Sequence, residues 1–418
     1  MCLSKENSSV EKETMENDNS EHHMTLVERI QQDFPNTPSV VVPMHRNVSN
    51  LCAKHNQQQE RNHNHHYADI GMLFEAMTTT AEEHQQNNCE LLGARTEAEL
   101  TAVVARMGRR QQGSRMLQEL LRTLPSGDAA RLRTALVHAL PALWADPFGN
   151  YAAQALFDTA AGAQAASRVL TGHVAALSFD AYGCRVVQRA LQCTGVDTAA
   201  ALAGELRGRV CACARDACGN HVLQRVAECV PLHRAAFVPA ELCAGGAAML
   251  ARDRCACRVL QRLLEHGTSA LLAPLLRALV AALPALLAHP YGCFVAQSVA
   301  AHGAPEHCTA VLAAARGRVV ALARHPRAWC VLEAAVAHAP SADVAAATVL
   351  PEFAGPRGDG APLLAVLDAP GGARVVVCCL EHFPLDARTR LVALLQRHAP
   401  LLQQRPHCKD AFLALDAL

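Results

Sequence analysis

The sequence predicts an all-α fold, an α-solenoid of eight stacked helical repeats with capping helices at both ends. A short helical signature recurs eight times at intervals of 34 to 37 residues, widening to 44 before the last copy, and such a period is typical of stacked helical hairpins. Apolar residues between the copies recur at i, i+3, i+4 and i+7, the spacing of one helix face, while strand patterns are almost absent. The copies begin at Gly113, Gly149, Gly183, Gly219, Ala256, Gly292, Ala328 and Gly372.

The composition narrows the class of protein. A chain of 418 residues with a formal net charge of zero does not hold nucleic acid mainly by neutralising phosphates, although this charge leaves base recognition open. The 18 cysteines and the absence of a secretory segment predict free thiols in a reducing, cytoplasmic environment. The longest apolar stretch, Leu271 to Leu287, contains Arg277, Pro274 and Pro284 and is shorter than the roughly 20 residues of a membrane span. We expect a buried helical hairpin there and no membrane partner.

Residues 1–90 and 91–418 differ in composition, and we predict two regions. The first is polar and of low complexity, with runs such as Gln57-Gln58-Gln59. It cannot bury enough apolar surface to offset chain entropy and is predicted to be disordered. The second is helical, with a single amphipathic helix at about 91–107 and a helical pair at about 385–416 as caps. The wider last interval contains the glycine-rich segment 355–360, which we expect to be a surface loop.

Three positions of each signature carry side chains able to contact a nucleobase. In the first copy, Gly113 is followed by Ser114, the first contact, then by Arg115, the second contact, and three residues later by Gln118, the third contact. First and third contacts are four residues apart and therefore lie on one face of a helix, with the second contact beside them. The other candidates are Asn150, Tyr151, Gln154, Cys184, Arg185, Gln188, Asn220, His221, Gln224, Cys257, Arg258, Gln261, Cys293, Phe294, Gln297, Trp329, Glu333 and Arg374.

The chemistry of these side chains matches the edges of the bases. Asparagine and glutamine each offer a donor and an acceptor, so the pairs Asn150–Gln154 and Asn220–Gln224 are predicted to select uracil. A small serine or cysteine as first contact leaves the glutamine to pair with adenine, whereas an ionised glutamate such as Glu333 accepts from the two donors of guanine. The second contacts are mostly flat or cationic and can stack between successive bases. One such pair alone would be an ordinary solvated helix face, but seven consecutive glutamine or glutamate third contacts indicate base recognition.

These residues resemble those of the Pumilio (PUF) family of RNA-binding proteins over about 91–418. The order of the first five signatures is similar to that of the family, namely Ser-Arg, Asn-Tyr, Cys-Arg, Asn-His and Cys-Arg, with the enlarged loop before the eighth. The resemblance implies a right-handed crescent of three-helix repeats whose concave face binds single-stranded RNA antiparallel, one base per repeat. It further implies a monomer that binds mRNA 3′ untranslated regions. Translational repressor or deadenylase partners on the convex face would then repress translation or promote mRNA decay.

Carried over copy by copy, the family pattern predicts the site 5′-N-G-(A/U)-A-U-A-U-A-3′, with the first repeat at the 3′ end. The last three copies depart from the pattern. In the sixth, Cys293 and Phe294 stand where the family has Asn and Tyr, which relaxes the preference to A or U. In the seventh, Trp329 stands beside Glu333, and its indole either stacks on the guanine or displaces it. The eighth lacks the amide pair, so Arg374 is its one candidate and its base preference is lost.

Two other classes of function compete with RNA recognition. An enzyme is disfavoured because the sequence contains no nucleophile elbow, no phosphate-binding glycine-rich loop ending in lysine and no His-Glu-x-x-His motif, so no catalytic residue and no cofactor are predicted. The close pairs Cys211–Cys213 and Cys255–Cys257 lack the two-to-four-residue gap of zinc ligands and are predicted to be structural, not a metal site. The second alternative is a helical scaffold that binds protein, or structured RNA during ribosome assembly, without recognising single bases. The degraded seventh and eighth copies favour this scaffold, and the intact first five disfavour it.

Overall fold

The computed structural model describes residues 90–91, 93–267 and 269–402. The segment 1–90 that we predict to be disordered lies outside the described residues except for Glu90, and so do residues 403–416 of the predicted C-terminal cap. The described part is built from helices and contains no strand, which confirms the predicted all-α solenoid.

Eight helices carry the signatures, and we call them the signature helices. They are Gln111–Thr123, Gly149–Ala155, Gly183–Cys193, Gly219–Cys229, Ala256–His266, Gly292–His302, Trp329–Ala337 and Pro370–His382. The other helices that have boundaries in the described part are Glu97–Gly108, Ser126–Leu143, the 3-10 turn Leu156–Asp158, Ala160–Leu170, Val174–Leu177, Val196–Gly204, Val210–Arg215, Phe237–Ala244, Ala247–Leu250, Ser269–Leu286, Pro305–Ala315, Val319–Arg324, Ala342–Ala354, Ala361–Leu367, Leu385–Arg397 and Ala399–Leu402.

The signature helices stack in chain order, each contacting the next. Their apolar positions face one continuous core. In the third signature helix, for example, Val186, Val187, Ala190 and Leu191 are buried, and these positions recur with the helical period. Burial of each valine or leucine contributes about 1.5–3 kcal/mol. Because consecutive signature helices pack against one another, the stack rather than any single hairpin is the stable unit.

Glycine begins most signatures because two helices approach each other closely at this point. A Cβ atom at Gly113 would lie 2.3 Å from the carbonyl oxygen of Met107, and one at Gly149 would lie 2.7 Å from that of Leu143. Each of these signature helices therefore crosses the end of the preceding helix at backbone contact distance. Ala256 is fully buried at the equivalent position, so the fifth crossing accommodates one methyl group.

Glutamate side chains link consecutive repeats through backbone amides. Glu241 accepts hydrogen bonds from the amides of Gly208 at 2.8 Å and Val210 at 3.2 Å. Gly208 has a φ of 74°, in the left-handed region that glycine adopts without strain. Glu205 and Glu352 bind the corresponding glycine and valine amides of their own preceding repeats. These charge-assisted bonds fix the turn between two helices and join it to the next repeat.

The stretch that we predict as a helical hairpin is instead one helix, so that prediction is wrong. The helix Ser269–Leu286 runs through both Pro274 and Pro284. A proline inside a helix removes a backbone hydrogen bond and costs about 3 kcal/mol. Leucines of the same helix, such as Leu275 and Leu279, are fully buried, and their packing offsets that cost. Proline positions alone predict a break here because they contain no information on the burial of the surrounding leucines.

The N-terminal cap and the surface loop are confirmed. The cap is the helix Glu97–Gly108, which begins with a capping box between Thr96 and Glu99, an arrangement that satisfies two otherwise unpaired amides. The segment 355–360 is a non-helical connection between two helices. It is held by His398, whose Nε2 atom lies 2.7 Å from a loop carbonyl oxygen.

Within the described residues, no single helix is long and apolar enough to span a membrane. The helices Ala361–Leu367 and Pro370–His382 reach the length and hydropathy of a membrane span only when they are taken together, and they are bent by 117° relative to each other. Both members of this pair belong to the protein core, where Val366 and Val375 are fully buried.

Candidate nucleic-acid interface

The three signature positions differ in exposure, and the difference repeats along the stack. The first contact is buried in each of the first six signature helices, with at most 4 % of its surface exposed. The third contact is half-buried in the first seven. The second contact is exposed in the first, second, third, fifth and eighth signature helices, and Tyr151, for example, is 44 % exposed. The other exposed second contacts are Arg115, Arg185, Arg258 and Arg374, while His221 and Phe294 are half-buried.

The first and third contacts share one helix face, as the four-residue spacing predicts. The Gln118 amide nitrogen lies 3.3 Å from the Ser114 hydroxyl, and the Gln154 amide nitrogen lies 3.0 Å from Asn150 Oδ1. Each such helix therefore presents an amide and a neighbouring flat or cationic side chain to solvent above a small buried group. This set of side chains, which we call the signature face, has the donors, acceptors and stacking surfaces that a nucleobase requires.

The two asparagine-containing signatures form a chain of hydrogen bonds. The Asn150 amide donates to the carbonyl oxygens of Asp146 and Pro147, both at 2.9 Å, and Asn150 Oδ1 accepts from Gln154 Nε2. Asn220 repeats the arrangement, and its Oδ1 atom accepts from the third contact at 2.8 Å. Both amide hydrogens of each asparagine are therefore used inside the protein. Each asparagine therefore has no donor left for a base, and its Oδ1 atom orients the glutamine above it.

Signatures that begin with serine or cysteine hold the glutamine differently. Gln118 and Gln261 donate to the main-chain oxygens of Ser114 and Cys257, both at 3.1 Å. Burial raises the pKa of the Cys257 thiol to about 11, so this group is neutral at pH 7 and a weak donor. A hydroxyl or thiol can both donate and accept. In the structure the Ser114 hydroxyl donates to the carbonyl oxygen of Phe148 at 2.7 Å and the Cys257 thiol to that of Arg254 at 3.4 Å, so the acceptor that both glutamines share is the main-chain oxygen of the first contact.

Loop residues that the sequence analysis missed position the start of the second to seventh signature helices. Asp146 Oδ1 accepts from the amides of Phe148 at 2.9 Å and Gly149 at 2.8 Å. Three further aspartates bind the equivalent amides, Asp180, Asp216 and Asp253. In the loops before the sixth and seventh signature helices, the equivalent amides donate to Nδ1 of His289 and Nδ1 of His325. The signal was available in the sequence, since each of these residues stands three positions before the glycine or alanine that opens the signature.

The histidine caps depend on protonation in a way that the aspartate caps do not. An Nδ1 atom that accepts hydrogen bonds must be unprotonated. The pKa of His289 lies below its ordinary value because burial disfavours the charged ring, and the nearby Arg252 adds to this effect. At neutral pH, His289 therefore accepts the hydrogen bonds of the two backbone amides at the start of the sixth signature helix.

Charged side chains beside the third contacts pair with one another. Arg189 lies 2.7 Å from Asp158, and Glu228 lies between Arg225 at 2.8 Å and Arg262 at 3.4 Å. Each of these arginines directly follows a third contact in the sequence. The paired acids offset positive charge next to the signature face, in agreement with the net charge of zero. Such a surface gains less from counterion release than a strongly basic one.

The seventh and eighth signatures depart from the repeated arrangement. Trp329 is half-exposed while Cys330 is buried, so the exposures of first and second contact are exchanged. Glu333 is half-buried at the third position, and Arg374 of the eighth signature lies 3.1 Å from its carboxylate. Val377 occupies the third position of the eighth signature and offers no hydrogen-bonding group to a base.

The thiols of the pair Cys211 and Cys213 form hydrogen bonds within the helical stack. The Cys211 and Cys213 thiols donate to the main-chain oxygens of Glu241 and Gly219, both at 3.2 Å. Across the part of the chain that the structure describes, no group of three or more His, Cys, Asp or Glu side chains is arranged to hold a metal ion. These thiols contribute hydrogen bonds and packing.

A family model for the Pumilio-family RNA binding repeat matches residues 173–206, 209–235, 247–280 and 286–314, which contain the third to sixth signatures. The chain is 32 % identical over 96 residues to "Pumilio homolog 1" of Xenopus laevis, covering 22 % of this chain and 8 % of that protein. It is 31 % identical over 128 residues to "Putative pumilio homolog 7, chloroplastic" of Arabidopsis thaliana, covering 26 % of this chain and 20 % of that protein. The matches thus span a fifth or less of these relatives.

Two solved structures share the fold over most of the chain. PUF-8 in complex with PBE-RNA superposes with a TM-score of 0.68 at 21 % identity, covering 80 % of this chain and 98 % of that one. The Puf3 RNA binding domain bound to the Cox17 RNA 3′ UTR recognition sequence site A gives a TM-score of 0.67 at 23 % identity, covering 80 % and 100 %. Pumilio-family RNA binding repeats are therefore present between residues 173 and 314 of the chain, and the helical stack has the fold of these PUF domains.

Proposed function

We propose that this protein binds single-stranded RNA in a sequence-specific manner, with one base facing each signature helix. The observation that carries the proposal is the recurring arrangement of the signature face. In six consecutive helices a buried small side chain and a half-buried glutamine occupy the first and third positions, and the second position is exposed in four of the six. A helix face that only met water would not need the same buried partner beneath each amide.

The asparagine acts as an orienting group for the glutamine. Because Asn150 Oδ1 is an acceptor, only the NH₂ end of the Gln154 amide can face it, and the reversed amide would bring two acceptors together. The glutamine oxygen is thereby held outward, where it accepts the N3–H donor of uracil. Adenine would offer its N1 acceptor there and would be disfavoured. The same reasoning applies to the fourth signature.

Gln118 and Gln261, which stand above serine and cysteine, use one amide hydrogen for the main-chain oxygen of the first contact. We propose that the second hydrogen donates to N1 of adenine while the glutamine oxygen accepts from the adenine amino group. The first six repeats therefore recognise 5′-(A/U)-A-U-A-U-A-3′, and the complete array is proposed to face 5′-N-G-(A/U)-A-U-A-U-A-3′. Solvent-facing side chains such as Arg185 stack between bases, each stacked base contributing about 1–3 kcal/mol.

The cellular role that we propose follows from the family. The Puf3 domain in the comparison is bound to a 3′ UTR sequence, which supports mRNA 3′ untranslated regions as the targets of this chain. The protein acts there as a cytoplasmic monomer that represses translation or promotes mRNA decay through translational repressor or deadenylase partners on the convex face. It is not an enzyme in this proposal.

The test is a binding series with short RNAs. Fluorescence anisotropy with 5′-AAUAUA-3′ and with shuffled controls of the same composition measures sequence preference, and we expect the ordered RNA to bind at least about tenfold more tightly, a difference of about 1.4 kcal/mol. The logarithm of the affinity should fall with the logarithm of salt concentration less steeply than about 0.7 per phosphate contact. Equal binding of all RNAs, or a steep salt dependence without preference, would instead support a scaffold that does not recognise single bases.

A further inference from the structure

The seventh signature places an aromatic ring where the other signatures place a small buried side chain. Trp329 follows Ala328 as the first contact, is half-exposed, and its indole N–H donates to the carbonyl oxygen of Pro326 at 3.2 Å. The ring extends over the start of the eighth signature helix. A Cβ atom at Gly371 would lie 2.1 Å from the indole, so a glycine is required beneath it.

The eighth signature supplies a cation that completes a cluster on this ring. The guanidinium carbon of Arg374 lies 5.1 Å from the centre of the Trp329 ring, within the range of a cation–π interaction. The same guanidinium donates through Nε at 3.3 Å and through Nη2 at 3.1 Å to Oε1 of Glu333. One aromatic ring and one carboxylate, both from the seventh repeat, thus contact the same cation from the eighth repeat.

This cluster competes directly with a base. Glu333 is the third contact that would accept both donors of guanine, which requires its two carboxylate oxygens and its negative charge. Arg374 directs both of its donors at one of those oxygens and neutralises the charge. Arg374 also lies against the Trp329 ring beside Glu333, on the side chains where a base facing this repeat would have to stack.

We propose that Arg374 is a specificity-determining residue that closes the recognition array after the sixth repeat. The protein then recognises a six-base, A/U-rich RNA element and is indifferent to the base that faces the seventh repeat. This inference rests on the proposed function, because it concerns where base recognition ends. It replaces the guanine of the eight-base site with an unspecified base.

The cluster can be removed without disturbing the core. The Arg374 side chain is 63 % exposed and the Glu333 side chain is 27 % exposed. Arg374→Ala should therefore leave the unfolding midpoint unchanged while it frees the carboxylate. Arg316→Ala is the matched control, since this exposed arginine lies at the end of a connecting helix, outside the signature helices.

The experiment measures binding of the full chain to 5′-AGAAUAUA-3′ and to the three RNAs in which the guanine is replaced by A, C or U. For the unmodified protein and for R316A we expect affinities for these four RNAs within about twofold of one another, below the roughly tenfold effect of 1.4 kcal/mol. For R374A the guanine RNA should bind about fivefold to 30-fold more tightly than the other three, as one recovered bidentate base contact predicts. Adding Glu333→Gln to R374A should abolish that gain.

The outcomes separate this inference from the proposed function. A guanine preference in the unmodified protein, or no gain of guanine preference in R374A at an unchanged unfolding midpoint, overturns the role of Arg374. In either case the preference for the AAUAUA core would persist. Replacing the two uracils of that core by cytosine tests the proposed function itself, and unchanged affinity there would overturn both.

Discussion

Replacing Cys184 by asparagine should convert the third repeat from adenine to uracil recognition. Cys184 is buried, and its thiol points to the carbonyl oxygen of Ala181 at 3.6 Å. The introduced amide would meet that oxygen and the carbonyl oxygen of Asp180, the loop positions that Asn220 uses in the fourth repeat. The next signature is also directly preceded by a cysteine in both repeats, Cys218 after the third and Cys255 after the fourth.

The size of the change follows from the hydrogen bonds. The new side-chain oxygen would accept from Gln188 as Asn220 accepts from Gln224 at 2.8 Å, which holds the glutamine oxygen outward. Uracil gains one hydrogen bond from this orientation and adenine loses one, each contributing about 1 kcal/mol. The ratio of the two affinities should therefore move by about 2 kcal/mol, or roughly 30-fold, because 1.4 kcal/mol corresponds to a factor of ten.

The assay compares 5′-AAUAUA-3′ with 5′-AAUUUA-3′, which differ only in the base facing the third repeat. Cys184→Asn should prefer the second RNA. Cys184→Ser is the matched control and should keep the adenine preference, since serine is the first contact of the first repeat. Asn220→Cys should make the reciprocal change at the fourth repeat. If C184N retains an adenine preference at an unchanged unfolding midpoint, the orienting role of asparagine is refuted.

Three further predictions concern the stability of the stack. Gly113→Ala should lower the free energy of unfolding by about 1–3 kcal/mol through overpacking against the preceding helix, whereas Gly127→Ala, where a methyl group meets nothing within 4 Å, should be neutral or stabilising in denaturant titrations. Glu241→Gln should cost about 1–2 kcal/mol, because one of the two backbone amides then faces an NH₂ group that cannot accept and the other keeps only a neutral acceptor. A cost no larger than that of the exposed control Glu306→Gln would contradict the linking role. The lowered pKa of His289 means that the unfolded chain binds this proton more readily, so its contribution to stability is present above the ordinary histidine pKa and is lost as pH falls below it. His289→Asp should therefore reduce the drop in unfolding midpoint between pH 7.5 and 5.5, and an identical drop in both proteins would argue against the cap.

Much of the candidate site was predictable because it depends on local geometry. The four-residue spacing of Asn150 and Gln154 determines that they meet on one helix face, and the structure brings their side chains to 3.0 Å. The aspartates of the cap loops were equally accessible, since their distance from the next signature is constant. They were overlooked because an aspartate in a turn is a common feature on its own, and only its two hydrogen bonds distinguish a cap.

Other features required the packed structure. The helix through Pro274 and Pro284 exists because the burial of its leucines outweighs the local cost of proline, and burial depends on what the neighbouring repeats provide. The direction of the Asn150 amide is set by two loop carbonyl oxygens, whose positions the side-chain spacing does not contain.

By itself, the sequence determined that this protein is a stack of helical repeats and which side chains share the signature face, because both depend on a period along one chain and on the geometry of a single helix. Only the tertiary structure decided which of those side chains are available to a ligand. Glu333 and Arg374 stand 41 residues apart, in different repeats, and their pairing arises where two helices stack. The three contact residues of a signature describe one repeat alone. The hydrogen-bonding groups that remain free for a base also depend on which atoms of the adjacent repeat lie within reach.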